Sequence, residues 1–206
     1  MKIKTLVNGL VFILAITFPF SKPVIAQGDV WNQKGDFGGM GRYEAVGFTI
    51  GGKGYMGTGR IPGVPAYTVD LWEYDPITEI WTQKADFIGA CSFAFSFSIG
   101  NKGYVGTGRI FGFTASPFFY EYDASLNSWL QKTNLPRAAN NAVAFSIGNK
   151  GYVGALDASQ SDFWEYDPAT DAWTRKADFG GVPREGAIGF NLNDQGYIGL
   201  GGNGTY

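Results

Sequence analysis

Short apolar runs, each closed by glycine, asparagine or an Asp-Pro pair, follow one another along the chain from Phe48 onward. No long segment shows a helical period with caps. Alternation of this kind over a few residues, bounded by turn residues, predicts strands. The runs also repeat. FSIGNKGYVG stands at Phe97–Gly106 and again, unchanged, at Phe145–Gly154. FTIGGKGYMGTG (Phe48–Gly59) and FNLNDQGYIGLGG (Phe190–Gly202) align with it, anchored by Tyr55, Tyr104, Tyr152 and Tyr197 at steps of 49, 48 and 45 residues. A fixed period of this length marks one supersecondary unit copied along the chain.

A second motif follows in three copies: LWEYDPITEIW (Leu71–Trp81), FYEYDASLNSW (Phe119–Trp129) and FWEYDPATDAW (Phe163–Trp173). A third begins at each of those tryptophans, as WTQKADF, WLQKTNL and WTRKADF, with a fourth copy, WNQKGDF, at Trp31. Each unit therefore predicts four strands. Strand one is a stretch such as Ala142–Ile147. A tight hairpin at Asn101-Lys102 or Asn149-Lys150 leads into strand two, KGYVG. A variable loop precedes strand three, WEYD. Turn chemistry at Asp167–Thr170 precedes strand four, which begins at the tryptophan. Such sheets bury both faces when stacked radially about an axis. Tyr74, Trp81, Tyr122, Trp129, Tyr166 and Trp173 then pack between neighbouring sheets, with Trp81, Trp129 and Trp173 largely buried; stacking platforms for sugar rings are the alternative.

The glycine-rich strand, the Tyr-Asp-Pro-x-Thr-x-x-Trp run and the Pro-Arg that follows resemble Kelch repeats, the blades of Kelch-type β-propellers, over Trp31–Tyr206. The resemblance implies an all-β fold of four-stranded antiparallel blades, at about 42–87, 88–135 and 136–179, with partial blades at 31–37 and 184–206. The family's double glycine is intact at Gly201-Gly202 and degraded at Gly154-Ala155-Leu156. Pro-Arg survives at Pro136-Arg137 and Pro183-Arg184, while Arg42 lacks its proline. The Trp-Asp and Gly-His signatures of the competing propeller repeat are absent. Strand three of the last blade does not follow, and six or seven blades at this period need ~300 residues. A truncated ring is the expectation.

The N-terminus changes the setting. Lys2 and Lys4, the apolar run Leu10–Phe20 and Val24-Ile25-Ala26 read as a signal peptide over residues 1–26, cleaved after Ala26, with the Kelch-type domain at 29–206. A secreted or periplasmic protein with no membrane span after cleavage is expected. Cleavage takes the net charge from −2 to −5, which argues against a nucleic-acid partner. The one cysteine, Cys91, cannot pair within the chain.

Candidate chemistry is limited by the lack of histidine. That removes the Ser-His-Asp triad and the usual zinc sites. The copper chemistry of galactose oxidase, whose catalytic domain resembles a Kelch propeller, does not carry over, and no metal, cofactor or catalytic residue is assigned. Asp157 and Asp162 fit no calcium loop and read as solvated. The loops from strand two to three hold Arg60 and Arg109; those from strand four to the next strand one hold Arg42, Arg137 and Arg184. In an up-and-down blade both loop kinds share a face, so the five arginines are candidates for one ligand-binding rim suited to carboxylates. The plainer reading pairs each with an Asp or Glu between blades. Lys53, Lys102 and Lys150, in the hairpin turns, read as solvated. Two functions follow: a secreted, non-catalytic binding or scaffold module for a protein or glycan, acidic ones included; or, as in exported Kelch propellers resembling sialic acid mutarotases, an enzyme on sugar acids, with Glu44 and Glu185 as the nearby carboxylates.

Overall fold

Three four-stranded antiparallel sheets and one two-stranded sheet follow in chain order. They are seen in a computed structural model that describes residues 32–64, 67–89, 91–110 and 114–203. Residues 1–26, expected above to be a signal peptide, and Trp31 lie outside the described residues.

The first blade holds β1 (Val46–Ile50), β2 (Lys53–Gly57), β3 (Leu71–Asp75) and β4 (Ile80–Lys84), paired in that order. The second holds β5 (Phe95–Ile99), β6 (Lys102–Gly106), β9 (Phe119–Asp123) and β10 (Ser128–Gln131), and a small hairpin, β7 (Arg109–Ile110) and β8 (Thr114–Ala115), sits in its second loop. The third holds β11 (Val143–Ile147), β12 (Lys150–Gly154), β13 (Phe163–Asp167) and β14 (Ala172–Lys176). A half-blade of β15 (Ile188–Leu192) and β16 (Gln195–Gly199) ends the series.

The hairpins turn one residue earlier than the sequence predicts. Ile99 pairs with Lys102 and Ile147 with Lys150, so the turn residues are Gly100-Asn101 and Gly148-Asn149. Gly100 and Gly148 carry the positive φ, while in the first blade both Gly51 and Gly52 do. These are the backbone signs of the II′ and I′ turns that match strand twist. The expected orphan strand at 31–37 is not one: residues 34–37 carry no strand pairing.

First strands lie against first strands, β1 on β5, β5 on β11 and β11 on β15. Their axial face is small and polar. Ser96 Oγ donates to the Gly47 carbonyl at 2.8 Å and Asn191 Nδ2 to the Ser146 carbonyl at 2.8 Å, joining neighbouring blades around the axis. β1 and β15 do not touch. The sheets therefore form an open arc among the described residues.

What holds blade to blade is a phenylalanine set on a glycine. A Cβ on Gly103 would stand 2.2 Å from the Phe48 ring, one on Gly151 2.3 Å from Phe97, and one on Gly196 2.3 Å from Phe145. The strand-two glycines Gly103, Gly151 and Gly196 are thus seats for the strand-one phenylalanine of the blade before. A second clasp lies further out. Trp81 Nε1 donates to the Gly35 carbonyl (3.2 Å), Trp129 to Ala85 (3.0 Å) and Trp173 to Thr133 (2.9 Å). Each acceptor is the fifth residue of the preceding Trp-x-x-Lys motif, and Phe37 and Phe87 meet Trp81 and Trp129 edge-on at 5.0 and 4.8 Å. The three tryptophans, expected to be largely buried, are only half-buried, as is Tyr74, while Tyr122 and Tyr166 are fully buried.

The turn lysines, 29–39% exposed, are also ion-paired. Lys53 binds Glu73 (2.9 Å) and Asp75 (3.3 Å), Lys102 binds Asp123, and Lys150 binds Asp167. Beside them the strand-two tyrosines donate to strand-three glutamates: Tyr55 to Glu73 at 2.5 Å, Tyr104 to Glu121 and Tyr152 to Glu165 at 2.9 Å. The Lys102 ammonium holds Asp123 well below the usual carboxylate range, and the Lys150 ammonium does the same to Asp167. A group whose folded pKa is depressed stabilises the fold above its unfolded pKa and loses that contribution as pH falls through the folded value. Melting temperature is therefore expected to hold steady from pH 7 to about 5 and to fall steeply below about 4, the ordinary carboxylate range. Thermal melts across that range check it.

Candidate functional site

The two loop kinds predicted to share a face do so. Tyr43 bridges Arg60, Ser92 bridges Arg109, and Glu185 bridges Gly202, each tying a loop before strand one to a loop after strand two. Around the axis on this face, Glu44, Phe93, Asn141 and Gly186 occupy the same station of successive blades, all with positive φ (59°, 55°, 59° and 62°). Their backbones bond in series: Phe93 N–H to the Glu44 carbonyl (3.2 Å), Asn141 to Phe93 (3.0 Å) and Gly186 to Asn141 (3.3 Å). Three non-glycine residues in the left-handed region at one repeated station hold that conformation because the series fixes it. The four residues, with the alanine after each of Glu44, Phe93, Asn141 and Gly186, line a shallow cavity of about 230 Å³ at the mouth of the axis. Glu44 Oε2 is buried there and accepts no hydrogen bond among the described residues.

The arginines split into two groups. Arg42 makes a two-pronged pair with Asp70 (2.6 Å on both prongs), also bonds Thr68 Oγ1 (3.1 Å) and the Thr58 carbonyl (3.3 Å), and is 5% exposed. Its guanidinium holds Asp70 below the usual carboxylate range. Trp72 Nε1 donates to the same carboxylate at 2.7 Å. Arg137 repeats this on Asp162 (3.1 Å), whose other oxygen takes Trp164 Nε1 (3.0 Å), and also binds Asp157. Asp157 and Asp162 are therefore Arg137's partners rather than solvated acids. Both arginine pairs lie within a blade, not between blades. In the second blade, Cys91 takes the place of Arg42 and Tyr120 that of Trp72, so an apolar cluster with Phe87 replaces the charges. Burial pushes the Cys91 thiol up to about 12.

Arg60, Arg109 and Arg184 have other company. Arg60 lies over the Tyr43 and Tyr67 rings, 5.6 and 5.9 Å from their centres. Arg109 lies 5.1 Å over Phe93, itself a wall of the axial mouth, and forms no ion pair among the described residues. Arg184 donates to the Leu200 (3.0 Å) and Val182 (3.2 Å) carbonyls and is half-buried. Sequence reasoning missed Asp70 and Asp162 as partners; the signal was there, an Asp two residues before the first tryptophan of two strand-three motifs.

A larger apolar cavity, about 430 Å³, lies between the third blade and the half-blade, walled by Phe145, Tyr152, Phe163, Phe179 and Ile198. In the first interface the counterpart space is filled by Tyr122 and Trp129. This cavity is the counterpart of the packed interblade cores, and no charged side chain lines it. Among the described residues, no group of three His, Cys, Asp or Glu is placed to hold a metal ion, and no helix is long and apolar enough to cross a membrane.

No protein-family model matches the chain, and no curated protein does. Solved structures match. One of them, the structure of YjhT, superposes with a TM-score of 0.68 at 17% identity, over 80% of this chain and 60% of that one. The fold is that of a β-propeller. The described residues form part of a ring, three blades and the inner half of a fourth, and the chain spans 60% of the length of the structure it matches.

Proposed function

We propose that the chain is an exported, Kelch-type propeller module that binds, without catalysis, a carboxylate-bearing protein or glycan on the face that holds Arg60, Arg109 and Arg184. The observation that carries this reading is Arg109, whose guanidinium carbon lies 5.1 Å over the Phe93 ring beside the axial mouth, with no ion pair among the described residues. A guanidinium stacked on a ring keeps its edge donors for a planar anion. Arg42 and Arg137 serve a different purpose in this reading: their carboxylate pairs brace the loops that present the face. The Kelch resemblance of the repeats supports the same face.

Titration with N-acetylneuraminic acid, followed by NMR, tests it. Binding is expected to weaken with salt, since exposed charges are screened within ~8 Å at physiological ionic strength. Arg109→Glu abolishes it, Arg109→Lys restores part, and Lys102→Glu, on the hairpin-turn face, leaves it unchanged. Equal losses for Arg109→Glu and Lys102→Glu contradict the proposal.

The second reading, a sugar-acid mutarotase, is favoured by one feature: the buried, unbonded Oε2 of Glu44 at the same mouth. A carboxylate so placed suits proton transfer to a ring oxygen. Anomer exchange accelerated by the protein and lost in Glu44→Gln would decide for this reading.

A further inference from the structure

The second blade departs from the repeat around its last turn. The Asp-Pro-x-Thr run reads Asp123-Ala124-Ser125-Leu126, so Leu126 stands where the first and third blades have Thr78 and Thr170. Leu130, after Trp129, stands where they have Thr82 and Thr174. Leu126 is 72% exposed and Leu130 59%. With Trp129 they line a cavity of about 380 Å³, which Lys102, Glu121 and Asp123 also line. This blade has a complete blade on either side, so the site lies inside the arc and not at its ends.

The cavity is short of a cation. In the first blade two lysines meet Glu73, Lys53 at 2.9 Å and Lys84 at 3.6 Å. In the second, Lys102 binds Asp123 and stays 3.6 Å from Glu121 Oε1, past ordinary hydrogen-bond length. Lys132, the counterpart of Lys84, turns instead to Asp171 of the third blade (3.8 Å). Asp171 stands where the second blade has Asn127. The neutral Asn127 leaves Lys84 to Glu73, whereas the charged Asp171 draws Lys132 across the interface, as Glu79 draws Lys34 (2.7 Å). One lysine therefore faces two carboxylates, and the Glu121 side chain is only 15% exposed. An enclosed carboxylate without its full complement of positive charge favours a cation that can reach it.

We propose that this cavity binds a primary ammonium on an apolar stem, with the ammonium on Glu121 and the stem along Leu126, Leu130 and Trp129. The ligand supplies from outside what Lys84 supplies within the first blade: a charged head on a chain of methylenes that covers apolar surface. The two leucines suit the stem, and the threonines of the other blades do not.

Titration of the full chain with hexylamine, followed by NMR at the Trp129 indole, tests this. Saturable binding is expected, about tenfold or more tighter than that of ammonium chloride or of hexanol. Glu121→Gln and Leu130→Thr each weaken it by about tenfold or more, and Glu73→Gln leaves it unchanged. Asp171→Asn acts from outside the cavity. It gives the third blade the residue that the second already has, where Asn127 Oδ1 accepts from Tyr122 Oη and the Ala85 N–H as Asp171 does from Tyr166 Oη and the Thr133 N–H. Lys132 is then released to Glu121, and hexylamine binding is lost. Nα-acetyl-lysine amide separates two sources of the same group: binding tighter than that of hexylamine marks a partner's lysine, weaker binding a free amine. No saturation with hexylamine overturns the proposal, and so does binding unchanged in both Glu121→Gln and Asp171→Asn.

Discussion

Trp129→Ala is expected to destabilise the protein by about 3–5 kcal/mol, the range for deleting a large aromatic from a packed site. Trp129 is half-buried, yet three attachments converge on it. Its ring meets Phe87 edge-on at 4.8 Å and Tyr122 at 5.0 Å, and its Nε1 donates to the Ala85 carbonyl of the first blade. Removing the indole opens the first core and leaves that carbonyl unbonded by protein. Chemical denaturation, read by fluorescence and by circular dichroism, checks the size of the effect. A loss under 1 kcal/mol would mark Trp129 as a surface platform and revive the sugar-stacking alternative. Trp81→Ala is expected to cost less, because its acceptor, Gly35, lies in a segment with no strand pairing.

Asp70→Asn is the second large effect, about 3 kcal/mol. Removing one member of a buried pair leaves the other charge uncompensated, which costs more than the intact pair contributes. Arg42 is the member left behind, and it is almost wholly enclosed. Asparagine keeps the volume and one acceptor, so the loss reports the charge. The same change at Asp178, whose partner Arg175 is at the surface at 2.6 Å, is expected to alter stability by less than about 1 kcal/mol. Parallel denaturation curves for the two variants make the comparison, and equal losses would show that burial of the Arg42 pair carries no weight.

The repeat made most of this fold legible before any coordinates. Glycine pairs, the Tyr-to-Trp spacing and the Asp-Pro turns are local signals, and local signals fix strands and hairpins. The face shared by the arginine loops also followed from topology alone. What the sequence hid was contact between residues a full repeat apart. Nothing local to Gly103 says that Phe48 sits on it, and nothing local to Trp129 says that its nitrogen reaches Ala85. The ion pairs of the turn lysines were hidden for the same reason: Lys102 and Asp123 are 21 residues apart and meet only because β6 pairs with β9. Arg42 and Arg137 were grouped with Arg60 and Arg109 by loop position, but an Asp two residues before a tryptophan ties down the first two, and the second blade has no such Asp.

Each blade is held to the next by a phenylalanine on a glycine. Stability measurements on Gly54→Ala, Gly103→Ala and Gly151→Ala test it most directly. The three glycines share one strand position, and none of the three has a positive φ, so backbone strain is the same for all. A methyl group at 103 or 151 collides with the seated ring, and overpacking of this kind costs about 1–3 kcal/mol; at 54 the space is open. The account predicts losses of that size for Gly103→Ala and Gly151→Ala and no loss for Gly54→Ala. Three equal values would contradict it.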